Sequence, residues 1–184
     1  MPAVVKKYAV FFRNTNLGRP PSPTRAQLES AFLAAGAETA SSFLTNGTLV
    51  FAATTESKAR RIVSIARRLL KAECGLEEPA ELRSVEHLAA LVAAEPFSAA
   101  AKRDVYQYCV SFLSLDGERP TTPLKSKRGD LEIFSITASE AFSVVRVVGR
   151  SPGSPNAHLE KAFDRPATTR NWNTVVRLVQ KYAE

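Results

Sequence analysis

The sequence predicts an α+β protein built on antiparallel sheets, residues 1–84 forming a ferredoxin-like subdomain and residues 85–184 a second α+β subdomain packed with it. Three observations carry this reading. Through the first 84 residues, strand-like and helix-like stretches follow the order strand, helix, hairpin, helix, strand, which is that of a βαββαβ unit. Asn46-Gly47 separates two β-prone runs, and both residues tolerate the positive φ that a tight hairpin turn demands. The stretch Glu56–Cys74 sets Ala59, Ile62, Val63, Ala66, Leu69 and Leu70 on one helical face and ends at Gly75.

Each element has its own justification. Lys7–Arg13 is dense in Tyr and Phe and reads as the first strand. The loop Asn14–Pro21 leads to Ser22-Pro23, a cap followed by a proline in the first helical turn. Leu28, Ala31, Phe32 and Ala35 then recur at helical spacing until Gly36 stops them. Thr39–Leu44 and Thr48–Ala53 form the hairpin, and Glu81–Ser84 is a short final strand.

The second part opens with a helix, Val85–Ala94, stopped by Pro96. Asp104–Ser114 keeps apolar groups on one face throughout and on part of the other, the pattern of an interior strand. The loop Leu115–Asp130 is rich in proline and charge. Leu131–Thr137 and Ala141–Val148 read as an antiparallel pair joined at 138–140, and Asn156–Phe163 and Thr169–Tyr182 as closing helices. No low-complexity linker interrupts the chain, so the halves are expected to pack closely.

Composition bounds the function. A chain of 184 residues with 45% hydrophobic and 23% charged residues buries a core without disulfide or metal. Apolar runs such as Leu88–Ala94 are too short for a bilayer, and Met1 leads into Lys6 and Lys7 without a long apolar segment, so a cytoplasmic protein is expected. Cys74 and Cys109 lie far apart with neither a Cys-x-x-Cys spacing nor a neighbouring His; both are expected as buried apolar groups, and no metal or cofactor is implied. The net charge is +7, from 25 Lys and Arg against 18 Asp and Glu, with the excess mostly N-terminal. Such a balance favours nucleic acid or phosphorylated ligands as partners.

The densest basic feature lies on the helix Glu56–Cys74. Arg60, Arg61, Arg67, Arg68 and Lys71 fall away from its apolar face at about 100° per residue, as one continuous surface. Such a stripe tracks a phosphate backbone or simply solvates the helix. Lys125, Lys127 and Arg128 in the long loop are candidates to extend it. Tyr8, Val10 and Phe12 share one face of the first strand, opposite Phe11, with Phe51 on the strand expected beside it. The purely apolar run Leu49–Ala53 favours burial of these rings over the base stacking of RNA-recognition domains. Arg13, Asn14 and Asn16 follow the first strand, where polar side chains either converge on a ligand or make ordinary turns.

Near the end, Ala167–Val175 joins Thr168, a candidate helix cap, to Arg170, Asn171, Trp172 and Asn173. Helix-start N–H groups beside an arginine bind anions. The competing reading is that the motif docks the last helix, with Trp172 on the same face as Val175, Val176 and Val179. Catalytic signals are thin: His87 and His158 sit beside leucines, and neither a nucleophile elbow nor a phosphate loop occurs.

Several stretches together resemble one family. Arg13-Asn14-Thr15-Asn16-Leu17-Gly18 resembles its Arg-Gly-Ile-Asn-Val-Gly loop, and Asn46-Gly47-Thr48-Leu49-Val50-Phe51 its Ser-Gly-Asn-Val-Val-Phe hairpin. Glu95-Pro96-Phe97 is similar to its Asn-Pro-Phe, Gly149-Arg150-Ser151 to its Gly-x-Ser, Leu159–Ala162 to its Leu-Glu-Lys-Ala, and Thr168–Val175 matches throughout. Asn14, Arg19, Asn46 and Pro152 depart from the pattern. The family is the bacterial domain of unknown function 1697; the resemblance implies an α+β chain of two ferredoxin-like subdomains and no reaction.

The sequence therefore points to a non-enzymatic binding protein with weak affinity for nucleic acid through Arg60, Arg61, Arg67, Arg68 and Lys71. The alternative is a small anionic ligand, bound or turned over, held by Arg13, Asn16, Thr168, Arg170 and Asn173. A structural or protein-interaction module is the third reading, and the oligomeric state is left open.

Overall fold

The computed structural model describes residues 4–114 and 118–183; Met1 and the start of the loop expected at Leu115–Asp130 lie outside the described residues. The chain divides into two compact units, residues 4–89 with 182–183, and residues 90–181.

The first unit contains β1 (Lys6–Phe12), α1 (Arg25–Ala34), β2 (Ala40–Phe43), β3 (Thr48–Ala53), α2 (Glu56–Cys74) and β4 (Ala80–Ser84). Its sheet runs β2-β3-β1-β4 with every pair antiparallel. This is the strand order of the βαββαβ unit. Alternation along β1 and β3 sends Tyr8, Val10, Phe12, Leu49, Phe51 and Ala53 into one core with the apolar faces of α1 and α2. The Phe32 ring of α1 closes on Phe51 at 5.2 Å.

Two local details differ from the sequence reading. The cap of α1 is Thr24, not Ser22-Pro23: its side chain accepts the Gln27 N–H while Gln27 bonds back to the Thr24 N–H. Threonine three residues before glutamine makes this capping box, and it leaves Pro23 outside the helix. The β2–β3 hairpin closes with Phe43 opposite Thr48, so four residues, 44–47, make the turn. Positive φ falls on Leu44 and Gly47, not on Asn46. Gly47 is required twice over, since its φ is +72° and a Cβ there would lie 2.7 Å from Thr15 Cβ.

α3 (Val85–Ala93) carries the division between the units. The second unit then holds β5 (Gln107–Phe112), β6 (Leu124–Lys125), β7 (Leu131–Ile136), β8 (Glu140–Val145), β9 (Val147–Val148), β10 (Ser151–Pro152), α4 (Pro155–Phe163), β11 (Thr168–Asn171) and most of α5 (Trp172–Tyr182). Its main sheet runs β11-β5-β8-β7-β6, all antiparallel. Without the edge strand β6, the order β11-β5-β8-β7 repeats that of β4-β1-β3-β2, with α4 in the place of α2. No helix stands in the place of α1 among the described residues, where Pro120 and Pro123 remove the N–H donors a helix interior needs. The second half is thus an abridged version of the first.

The expected closing helix Thr169–Tyr182 starts later. Thr168–Asn171 is an edge strand, with Thr168 opposite Phe112 and Asn171 opposite Cys109. Two β-branched threonines favour the extended backbone, and pairing with β5 satisfies it.

Candidate functional site

α2 is a strongly amphipathic helix held at both ends. Thr55 accepts the Lys58 N–H at 3.1 Å, and Gly75, left-handed at φ 76°, donates its N–H to Lys71 O. Burial of Ala59, Ile62, Val63, Ala66 and Leu70 orients the basic residues outward: Arg60, Arg61, Arg68 and Lys71 are exposed and Arg67 is half-buried. Arg60 is tied to Glu56 one turn earlier, and Lys71 to Glu77 at 2.6 Å. Arg61 and Arg68 make neither an ion pair nor a hydrogen bond among the described residues. Burial pushes the Glu81 carboxyl of β4 up; Arg83 beside it opposes this, and the fields of Arg60 and Arg67 do so more weakly.

The loop after β1 is tied to its own unit. Arg13 pairs with Glu78 at 3.1 Å, and its N–H donates to Pro79 O, joining the end of β1 to the segment that enters β4. Asn14 takes a left-handed conformation at φ 48°, as asparagine tolerates. The Thr15 hydroxyl donates to Arg13 O, and the exposed Asn16 donates its N–H to Ser22 Oγ. Arg13 and Asn16 belong to the first unit; Thr168, Arg170 and Asn173 belong to the second.

In the second unit the C-terminal motif is largely built into the fold. Thr168 is buried within β11 and does not cap α5. Asn171 caps it: its Oδ1 accepts the Asn173 N–H at 2.9 Å, while its amide donates to Gln107 at 3.2 Å. Thr169 meets Ser111 at 2.6 Å and donates to Asn156 of α4. Arg170 is buried, its Nη1 donating to Thr169 O, and desolvation lowers its pKa to about 10. Trp172 is half-buried against Phe97 at 5.3 Å and Phe142 at 6.0 Å. Phe97 is the hub of these rings, also 4.8 Å from Tyr108 and 5.6 Å from Phe134. The sequence signal for that hub was slight, a lone phenylalanine after Pro96. Glu78 and Asn156 carried none, because each acts through a partner distant in sequence.

A family model for proteins of unknown function, DUF1697, matches residues 5–142. The chain belongs to the DUF1697 family. The match spans all of the first unit's strands and helices and ends before the Thr168–Val175 stretch. Among solved structures, a conserved bacterial protein from Streptococcus pneumoniae is similar, with a TM-score of 0.65 and 16% identity over 96% of this chain and 98% of that one. This likeness shows the fold. No curated protein matches the chain.

Most of the remaining candidates of this DUF1697 protein have structural partners among the described residues. Tyr8 lies opposite Phe51 with ring centroids 6.0 Å apart, and both rings are buried toward α1 and α2, as the apolar run on β3 predicts. Lys125 pairs with Glu132 at 3.8 Å, and Arg128 pairs with Asp130 and donates to Val148 O; Lys127 is exposed. His87 N–H is capped by Ser84 Oγ, and His158 is half-buried on α4. Cys109 is buried and its thiol is pushed up to about 12, chiefly by desolvation. Half-buried Cys74 donates to Leu70 O. Among the described residues no three His, Cys, Asp or Glu side chains converge as metal ligands, and no helix is long and apolar enough to cross a membrane.

Proposed function

We propose that this DUF1697 protein is a non-enzymatic binding protein that holds nucleic acid by its phosphate backbone, through the exposed face of α2. The observation that carries the reading is the pair Arg61 and Arg68, two turns apart on one face, exposed and without ionic partners among the described residues. Arg60, Arg67 and Lys71 flank them. The pairs Arg60–Glu56 and Lys71–Glu77 join exposed side chains, and such pairs are weak enough for a phosphate to compete with the glutamate. Guanidinium groups suit this role because they bond phosphate oxygens bidentately. A rigid helix carrying them would give sequence-independent, salt-sensitive binding.

The small-anion alternative at Arg13, Asn16, Thr168, Arg170 and Asn173 has less support. Glu78 already neutralises Arg13, and Arg170 and Thr168 are buried within the fold. A cytoplasmic setting agrees with Cys74 and Cys109 both being free thiols.

The test is fluorescence anisotropy with labelled single-stranded RNA, single-stranded DNA and duplex DNA, comparing the natural chain with the R61E/R68E double variant. Both side chains are exposed, so the fold should survive the change. The variant is expected to bind every sequence more weakly by a similar factor; unchanged binding removes α2 from the function.

A further inference from the structure

The second unit carries a cavity of about 350 Å³, at the small end of the range for ligand pockets. Its walls are Val92 of α3, Glu95, Phe97 and Ser98 in the turn that follows, and Trp172 and Val176 of α5. We propose that it is a binding site for a small alkylammonium ligand, with Trp172 and Phe97 as the aromatic walls and Glu95 as the counter-ion.

The two rings lie 5.3 Å apart and tilted by 55°, so they meet as an angled corner and not as a closed stack. Phe142 stands behind both, 5.7 Å from Phe97 and 6.0 Å from Trp172, which holds the corner in place. Ring faces attract a cation through their quadrupole, and methyl groups around the nitrogen suit the flanking valines. Glu95 supplies the formal charge: its carboxylate makes neither an ion pair nor a hydrogen bond among the described residues. Its backbone is fixed at the lip, with N–H donated to Val92 O at 3.1 Å and C=O accepting the Ser98 N–H at 2.9 Å.

The helix ends agree with this sign. α3 finishes at Ala93 beside Val92, so the negative end of its dipole abuts the cavity. α5 begins there with the opposite end, but its Asn173 N–H is already taken up by Asn171 Oδ1. A small anion would meet an unpaired carboxylate, and a neutral ligand of the same shape would forgo both the Coulomb and the cation–π attraction.

Trp172 is the only tryptophan in the chain, so intrinsic fluorescence reports the site directly. The full chain is titrated with tetramethylammonium chloride, with sodium chloride at matched ionic strength, and with the neutral isostere neopentyl alcohol. A saturable change in emission is expected with tetramethylammonium alone. The exposed Glu95→Gln change should weaken it about fivefold or more while leaving the melting temperature unaltered. A linear, non-saturating response, an equal response to neopentyl alcohol, or an unchanged affinity in E95Q would overturn the proposal. None of these readouts depends on α2, so the outcome stands apart from the nucleic-acid reading.

Discussion

The side chain of Asn171 accepts the backbone N–H of Asn173 at 2.9 Å, and this bond marks where β11 ends and α5 begins. One amide does two jobs, because its nitrogen also donates to Gln107 on the neighbouring strand. Asn171→Ala should cost about 1 kcal/mol for the lost cap, with the cross-strand bond adding a smaller amount. Asn171→Asp should keep the cap and lose only the donor. Urea denaturation of both variants checks this, and equal loss in the two would deny the cap its role.

Gly47→Ala should destabilise the chain by at least ~1 kcal/mol. The added Cβ would sit 2.7 Å from Thr15 Cβ, and the residue is held at φ +72°. Thermal unfolding of the single variant decides it; pairing it with Thr15→Gly should recover part of the loss by removing the clash and leave the backbone cost.

Cys109 should resist thiol reagents in the folded protein. Desolvation pushes its pKa up from 9.0 to about 12, with a weaker opposing bond from Gln107, so the reactive thiolate is scarce at pH 8. Timed alkylation with mass spectrometry should label the half-buried Cys74 first and Cys109 only on unfolding. The raised pKa favours the folded state fully below pH 9.0, and that contribution fades as pH rises toward about 12. Equal labelling of both thiols in the native state would refute the assignment.

Much of the first unit was legible in the sequence, since its elements are long and strongly periodic. The bounds Glu56–Cys74 and Thr48–Ala53 agree with the structure because a six-residue apolar helix face, of which the structure buries all but Leu69, and the apolar run Leu49–Ala53 leave little choice. The turn at 44–47 was less legible. Asn46-Gly47 marks a hairpin but does not say how many residues it takes, and the register Phe43 to Thr48 settles that through burial. The strand Thr168–Asn171 was not legible because the helical spacing from Trp172 onward continues backward into Thr169, while the pairing with β5 is long-range. Of the candidate site, the basic face of α2 was readable, since it depends on one helix. The partners of Arg13 and Thr169 were not, as Glu78 and Ser111 lie 65 and 58 residues away.

If Arg61 and Arg68 neutralise phosphates, the salt dependence of nucleic-acid binding reports it. Affinity should be measured across a series of salt concentrations for the natural chain and for R61E/R68E. The slope of log affinity against log salt is expected to become shallower by about 1.5 to 2 in the variant, the share of two released counterions. An identical slope in both proteins, or no binding to any nucleic acid at low salt, would contradict it.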